Sequence, residues 1–268
     1  MKTIIAGTDF TPGSANACRY AALLAQKLNC KLTIFNLFEA PVLLSNSGLY
    51  GISYSSVRKT SGEKSENVVR ELAKEFPELK ISAFITSGAF EYELESFVNM
   101  HQVEAVVMGL ESKARIAKFI WGSHGVSIAG KINAPVIIVP ENYKDHRLET
   151  ILLALDNMEK LHAASVKEIE KFAKGSQAYV KLLHIRTPEE VISPLQSRFM
   201  KIRGTRQEIG VHKSKSIEQG IKKYCSEHEA DLVTVISRKH SVFYNLFNES
   251  VTKRVAFAAK VPVMAIHE

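Results

Sequence analysis

Two glycines and a serine in the middle of the chain have the spacing of an anion-binding loop. An apolar run ending at Met108 leads into Gly109, and Gly122-Ser123 follows after a stretch that contains Ser112. Glycine lets the backbone approach a ligand closely, and a helix N-terminus directs free N–H groups and a partial positive charge at it. These residues therefore indicate a phosphate site, although a strand-end turn and an ordinary helix cap would use the same residues.

The chain around this loop alternates apolar runs with amphipathic segments. Strands are predicted at Thr3–Thr8, Lys31–Phe38, Ile81–Thr86, Val103–Met108 and Val136–Val139. Helices are predicted from Pro12, with Thr11 as cap, to about Asn29, and at Lys59–Glu75, Phe90–Met100 and Ser123–Lys131. Residues 41–57 have no period and are predicted to form a mobile loop. Alternating strands and helices predict a parallel sheet covered on both faces.

The same order of elements then begins again, which indicates a tandem duplication. Leu148–Leu155 repeats the first strand and ends at Asp156 as the first copy ends at Asp9. Val180–Ile185 and Asp231–Ile236 repeat the second and fourth strands. We therefore predict two domains, residues 1–143 and 144–268, joined by a linker near Glu141–Arg147, where charge is high and apolar residues are few.

Composition limits the classes of function. Of 268 residues, 46% are hydrophobic and 24% charged, which is typical of a globular protein. No apolar run is long enough to cross a membrane, the N-terminus does not resemble a signal peptide, and three scattered cysteines suggest neither disulfides nor zinc. A cytoplasmic protein is expected. The net charge of +7 lies mostly in the second half, but its basic residues are interspersed with acids, so nucleic-acid binding is not favoured.

These motifs together resemble the universal stress protein family, in a tandem two-domain form. The resemblance rests on Asp9-Phe10-Thr11-Pro12-Gly13-Ser14, on the loop from Gly109 to Ser123, and on Ala134-Pro135-Val136 before the last strand. ATP-binding members have a loop of Gly, two residues, Gly, nine residues and Gly-Ser/Thr, and three of these four positions match here. The resemblance implies an α/β fold of two five-stranded parallel-sheet, Rossmann-like (adenine nucleotide alpha hydrolase-like) domains.

The resemblance also implies roles for individual residues. Asp9 would lie beside the base and ribose, and Leu37 would offer backbone groups to the adenine. The phosphate side of the site would comprise Met108, Gly109, Ser112, Gly122, Ser123 and His124. Ligands in open parallel sheets bind at the carboxyl ends of the strands, where Asp9, Leu37 and Gly109 are predicted to lie. From the residues alone, Asp9 could equally cap the first helix.

The chain departs from the family pattern in two ways. Ser112 stands where the family has glycine, and a positive φ would cost serine energy that glycine avoids. In the second copy, Ile236 and Glu249 replace Gly109 and Gly122, Lys239 replaces Ser112, and only Ser250 matches Ser123. Because Glu249 would repel phosphate, we expect nucleotide in the first domain only.

Three functions remain open at this point. The first is a stress-response protein that binds ATP or AMP, with Mg²⁺ accompanying ATP, and acts as a nucleotide-dependent regulatory or interaction module. The second is a scaffold that binds no nucleotide, and the third is slow ATP hydrolysis, for which no catalytic residue or metal ligand set is visible. Protein partners are not identified, and no membrane partner is expected.

The predicted assembly is an intramolecular pseudo-dimer. Pro135–Val139 and Pro262–Ile266 would pair antiparallel, which covers the last strand of each domain. Whether two chains form a further homodimer is left open by the sequence.

Overall fold

The structure is a computed structural model that describes residues 1–39, 53–110, 132–145, 147–155, 163–186, 207–237 and 260–267. The predicted loop at 41–57 lies mostly outside these residues, as do the predicted helix Ser123–Lys131 and Asp156. Among the described residues, no helix is both long and apolar enough to cross a membrane.

The N-terminal half has the predicted alternation of strands and helices. Its strands are β1 (Thr3–Gly7), β2 (Lys31–Leu37), β3 (Ile81–Thr86), β4 (Val103–Leu110) and β5 (Val136–Pro140). Its described helices are α1 (Pro12–Lys27), α2 (Tyr54–Glu75) and α3 (Phe90–Met100). Every residue of β1 and β5 is buried, which explains why these strands are continuous apolar runs.

The C-terminal half repeats this arrangement. Its strands are β6 (Thr150–Leu155), β7 (Tyr179–Arg186), β8 (Gln207–Lys213), β9 (Leu232–Ser237) and β10 (Val263–His267), and its described helices are α4 (Ala163–Ser176) and α5 (Ile217–Glu227). α1 and α4 end alike, because Asn29 and Gln177 both adopt a positive φ after the last turn. Their following residues, Cys30 and Ala178, each donate 2.8 Å hydrogen bonds back into the helix.

The ten described strands form one sheet in the order β3-β2-β1-β4-β5-β10-β9-β6-β7-β8. Neighbouring strands are parallel within each half, and β5 and β10 pair antiparallel in the middle, with Val263 opposite Ile138 and Ala265 opposite Val136. The predicted α/β pseudo-dimer is therefore confirmed as the fold of this chain. Each half covers the last strand of the other, so neither β5 nor β10 is an edge strand.

The core on each face of the sheet continues from one half into the other. One face is covered by α1, α2 and α4 and the opposite face by α3 and α5. α4 meets the end of α1 so closely that a Cβ on Gly175 would collide with the Leu28 side chain. Beside this contact, the buried Glu104 pairs with Lys2 at 3.0 Å and with Lys171 of α4. Packing and charge therefore both join the halves.

The predicted linker is held against the core. Tyr143 is buried, its ring lies edge-on to Tyr20 with centroids 6.0 Å apart, and its hydroxyl lies 3.4 Å from the carbonyl of Asp231. Asn16 of α1 donates its side-chain N–H to the carbonyls of Pro140 (3.0 Å) and Tyr143 (2.8 Å). Although most residues of this segment are charged, its tyrosine anchors the segment in the core.

Two predicted boundaries are wrong. The second helix begins at Tyr54, five residues before the predicted Lys59 and inside the predicted loop. Its cap is Ser53, and the rings of Tyr54 and Phe38 pack with their centroids 5.3 Å apart. The spacing of hydrophobic residues in the sequence does not predict either contact. β4 continues through Gly109 to Leu110, so Gly109 lies in a strand and not in a loop.

Candidate functional site

The carboxyl ends of β1, β2 and β4 lie side by side in the sheet. Asp9 follows β1, Leu37 ends β2, and Met108 and Gly109 lie near the end of β4. The strand order reverses between β1 and β4, because β2 lies on one side of β1 and β4 on the other. Open parallel sheets bind ligands at such a reversal, in the crevice beyond the strand ends. The structure thus brings four of the eight candidate residues to one edge.

Asp9 caps the start of α1 through Thr11. Its Oδ1 accepts hydrogen bonds from the Thr11 backbone N–H at 3.1 Å and from the Thr11 hydroxyl at 2.6 Å. Thr11 in turn accepts a hydrogen bond from the Ser14 N–H at 3.3 Å, as predicted for a cap. Both bonds to Asp9 use one oxygen, so within the part of the chain that the structure describes, Oδ2 of this half-buried carboxylate is left for solvent or a ligand.

Gly109 is required by packing inside the protein. It lies opposite Val139 in β5, and a Cβ at this position would approach the carbonyl oxygen of Gly13 to 2.5 Å. The missing side chain of Gly109 therefore lets the first turn of α1 lie directly on the end of β4. This close approach brings the helix N-terminus, with its partial positive charge, next to the strand end.

Phe10 has a strained backbone at the same edge. Its φ of 66° lies in the left-handed region, which costs a bulky residue about 1–2 kcal/mol. Its N–H donates to Oγ1 of Thr8 at 3.1 Å, and Nζ of Lys64 on α2 lies 5.5 Å from its ring centre. Sequence reasoning did not identify Phe10 as a site residue, because side-chain type alone does not predict a positive φ.

Asn36 was also missed, and it carries an unpaired polar atom. Its side-chain N–H donates to the carbonyl of Thr8 at 2.8 Å, while its Oδ1 is buried and has no hydrogen-bond partner among the described residues. A buried acceptor left unpaired is costly, so it calls for a specific reason. The available signal was an asparagine within the apolar run of β2.

The described part of the site contains no reactive nucleophile. Cys18, in the second turn of α1, is buried, and burial raises the pKa of its thiol to about 12 despite a hydrogen bond with Thr8. A thiol with this pKa is not ionised at neutral pH. Within the described ranges, no group of three His, Cys, Asp or Glu side chains could hold a metal ion.

Four candidate residues, Ser112, Gly122, Ser123 and His124, lie outside the described residues. Their predicted roles therefore stay predictions, as do those of Lys239, Glu249 and Ser250. Ile236 is described: it lies opposite Ile266 in β10, as Gly109 lies opposite Val139 in β5. The end of β9 is therefore filled by a buried isoleucine where the first half has a glycine.

Several solved structures match this architecture over nearly the whole chain. A universal stress protein from Archaeoglobus fulgidus DSM 4304 matches with a TM-score of 0.70 at 15% identity, covering 99% of this chain and 96% of that one. A functionally unknown protein from Pseudomonas aeruginosa PAO1 matches with a TM-score of 0.60 at 8% identity, covering 100% and 92%. The cytoplasmic domain of a prokaryotic cation chloride cotransporter matches with a TM-score of 0.52 at 9% identity, covering 98% and 94%. At such low identities these likenesses concern the fold alone.

Comparison of the sequence with models of protein families identifies the family of this chain. No curated protein matches the chain significantly. The model of the universal stress protein family, in contrast, matches twice, at residues 1–140 and 153–267. These two matches cover most of the chain and correspond to the two halves of the sheet. The chain therefore belongs to the universal stress protein family and contains two tandem copies of its domain.

Proposed function

We propose that the N-terminal half binds an adenine nucleotide, ATP or AMP, and that the bound state regulates how this stress protein meets its partners. The observation that carries the proposal is the meeting of Asp9, Leu37 and Gly109 at the strand-order reversal, beside the N-terminus of α1. That edge combines a carboxylate oxygen for hydroxyl or amino donors with a helix N-terminus for anions.

The unpaired atom of Asn36 supports the same edge as a ligand site. Its Oδ1 is an acceptor, and an adenine amino group or a ribose hydroxyl is a donor of the matching kind. Asp9 and Asn36 would then hold the nucleoside, and the backbone around Gly109 would approach the phosphates. The nucleotide itself would bring its phosphates to the site and, in the case of ATP, a bound Mg²⁺.

The C-terminal half is proposed as a partner that completes the sheet and binds no nucleotide. Ile236 stands at the strand end that corresponds to Gly109, and its buried side chain would keep a helix N-terminus from lying as close to the strand end as α1 lies to Gly109. A non-binding scaffold remains the second candidate function for the whole chain, because this half shows that the fold persists without the glycine.

The test is calorimetric titration of the full chain with ATP and AMP, with and without Mg²⁺. We expect one nucleotide per chain, and Asp9→Ala should weaken its affinity at least ten-fold. Thr11→Ala is the matched control, since it breaks the same helix cap without removing the proposed ligand contact. Two nucleotides per chain would contradict the assignment to one half, and no binding at millimolar nucleotide would favour the scaffold. Release of phosphate from ATP would indicate the third candidate function, slow ATP hydrolysis.

A further inference from the structure

The outer edge of β3 presents backbone groups that have no partner among the described residues. β3 is the first strand of the sheet, and β2 is the one described strand to which it is bonded. The N–H of Leu32 donates to the carbonyl of Lys80, and the N–H of Phe38 donates to that of Thr86, both at 2.9 Å. In a parallel pair, alternate residues bond to one neighbour, so the even-numbered residues of β3 face β2. The N–H and C=O groups of Ile81, Ala83 and Ile85 therefore point away from the sheet.

A groove runs along this edge, between β3 and the first turns of α2. It has a volume of about 640 Å³ and is lined by Tyr54, Arg58, Lys59 and Gly62 of α2 and by Ala83 and Ile85 of β3. A Cβ on Gly62 would meet only the tip of Ile85, at 3.9 Å, so the glycine leaves the groove wide. Tyr54, the first residue of α2, is 48% exposed and contributes an aromatic ring to the wall of the groove.

The charge of the groove indicates what it can bind. Arg58 is exposed and has no ion-pair partner among the described residues, and Lys59 lies 4.0 Å from Glu63 with 79% of its side chain exposed. A second copy of the chain, paired through the same edge about a two-fold axis, would bring these cations towards their own counterparts. Like charges there would oppose such a dimer, whereas an acidic segment would be attracted.

We propose that the β3 edge and α2 form a docking site for an extended, acidic peptide segment of another protein. The segment would add a strand to the sheet through Ile81, Ala83 and Ile85, and its carboxylates would pair with Arg58 and Lys59. A segment of about six residues matches the length of β3. This inference goes beyond nucleotide binding and does not depend on it.

The probe is a fluorescein-labelled peptide of alternating valine and glutamate, six residues long, titrated with the full chain in low salt. We expect anisotropy to report saturable binding that Arg58→Glu with Lys59→Glu weakens at least ten-fold. The matched control is Lys222→Glu with Lys223→Glu on α5, which makes the same change in net charge on an exposed helix. Peptides with lysine for glutamate, or with a central proline, should bind at least ten-fold more weakly.

Amide hydrogen exchange distinguishes strand addition from simple charge attraction. The bound peptide should slow exchange at Ile81, Ala83 and Ile85, whereas Ser82 and Phe84, already bonded to β2, should change little. Binding that leaves these three amides unprotected would overturn the proposal, as would equal binding by both charge-reversal pairs or no binding at all. Sedimentation of the peptide-free chain is the last check, because a dimer that Ala83→Pro abolishes by removing an outward N–H of β3 would assign the edge to a second copy.

Discussion

At the level of single residues, Asp9 and Gly109 have structural tasks that exist without any ligand. Asp9 holds the cap of α1, and Gly109 makes room for the backbone of Gly13. The two interpretations of each residue that the sequence left open are therefore compatible. The same hydrogen bonds that cap the helix also orient its N-terminus towards the edge where the nucleotide is proposed to bind.

The packing of Gly109 gives the first prediction. Gly109→Ala should lower the free energy of unfolding by about 1–3 kcal/mol, because its Cβ would meet backbone atoms that cannot rotate away. Gly62→Ala is the control with the opposite sign. Its Cβ would have space in the middle of α2, and alanine should stabilise that helix by about 0.5–1 kcal/mol. Urea unfolding of the two variants measures both effects; equal changes would show that the collision at Gly109 is relieved.

The cysteines give the second prediction, which concerns reactivity. Burial raises the pKa of both Cys18 and Cys225 to about 12, so about one thiol in ten thousand is ionised at pH 8. Burial raises the pKa of Cys30 as well. Ellman's reagent at pH 8 should therefore react with the native chain far more slowly than with the unfolded chain, in which all three thiols are accessible and react immediately. Rapid native reaction of all three thiols would contradict the burial of Cys18 and Cys30.

At the level of elements, the sequence predicted the strands that are buried, but it did not predict the element ends that depend on individual contacts. The central strands are continuous apolar runs, and their predicted bounds differ from the observed ones by one or two residues. β8 was not predicted, because its apolar residues are only Ile209 and Val211. The first turn of α2 was missed because Ser53 and Tyr54 hold it by a cap and a ring contact. The extension of β4 beyond Met108 depends on β5, which lies far along the chain.

The hold of α1 on the connecting segment gives the third prediction. Asn16→Ala should lower the free energy of unfolding by about 1–3 kcal/mol, because the carbonyls of Pro140 and Tyr143 would lose the hydrogen bonds that Asn16 donates in a partly buried site. Asn67→Ala, on the exposed face of α2, is the matched control and should change stability by less than about 0.5 kcal/mol. Thermal or urea unfolding measures both, and a neutral Asn16→Ala would show that water replaces the lost donor.

At the level of the whole molecule, the ion pair between Glu104 and Lys171 links the two halves, and it gives the fourth prediction. Lys171→Ala would leave Glu104, whose side chain is only 4% exposed, with Lys2 as its one remaining ion-pair partner among the described residues. We expect a loss of about 1–2 kcal/mol, less than for a fully buried pair because Lys171 is 31% exposed. Lys174→Ala, on the solvent side of the same helix, should change stability little. Equal effects in urea unfolding would mean that the pair contributes nothing to the interface.

The antiparallel pairing of β5 with β10 gives the last prediction. In a fragment of residues 1–143, β5 would become an edge strand with an apolar sequence, and the end of α1 at Leu28 would lose its contact with α4. An unprotected edge of this kind recruits another strand. In the full chain, the short connection raises the effective concentration of the second half to about the millimolar range, so β10 occupies that edge first.

Sedimentation of the fragment and of the full chain at the same concentration should therefore differ. The fragment, shown to be folded by circular dichroism, should dimerise through β5 or aggregate, whereas the full chain needs no second molecule to cover this strand. A folded fragment that stays monomeric at high concentration would mean that the C-terminal half is not required to protect β5. The loss of the nucleotide motif in that half would then need an explanation other than its role as a structural partner.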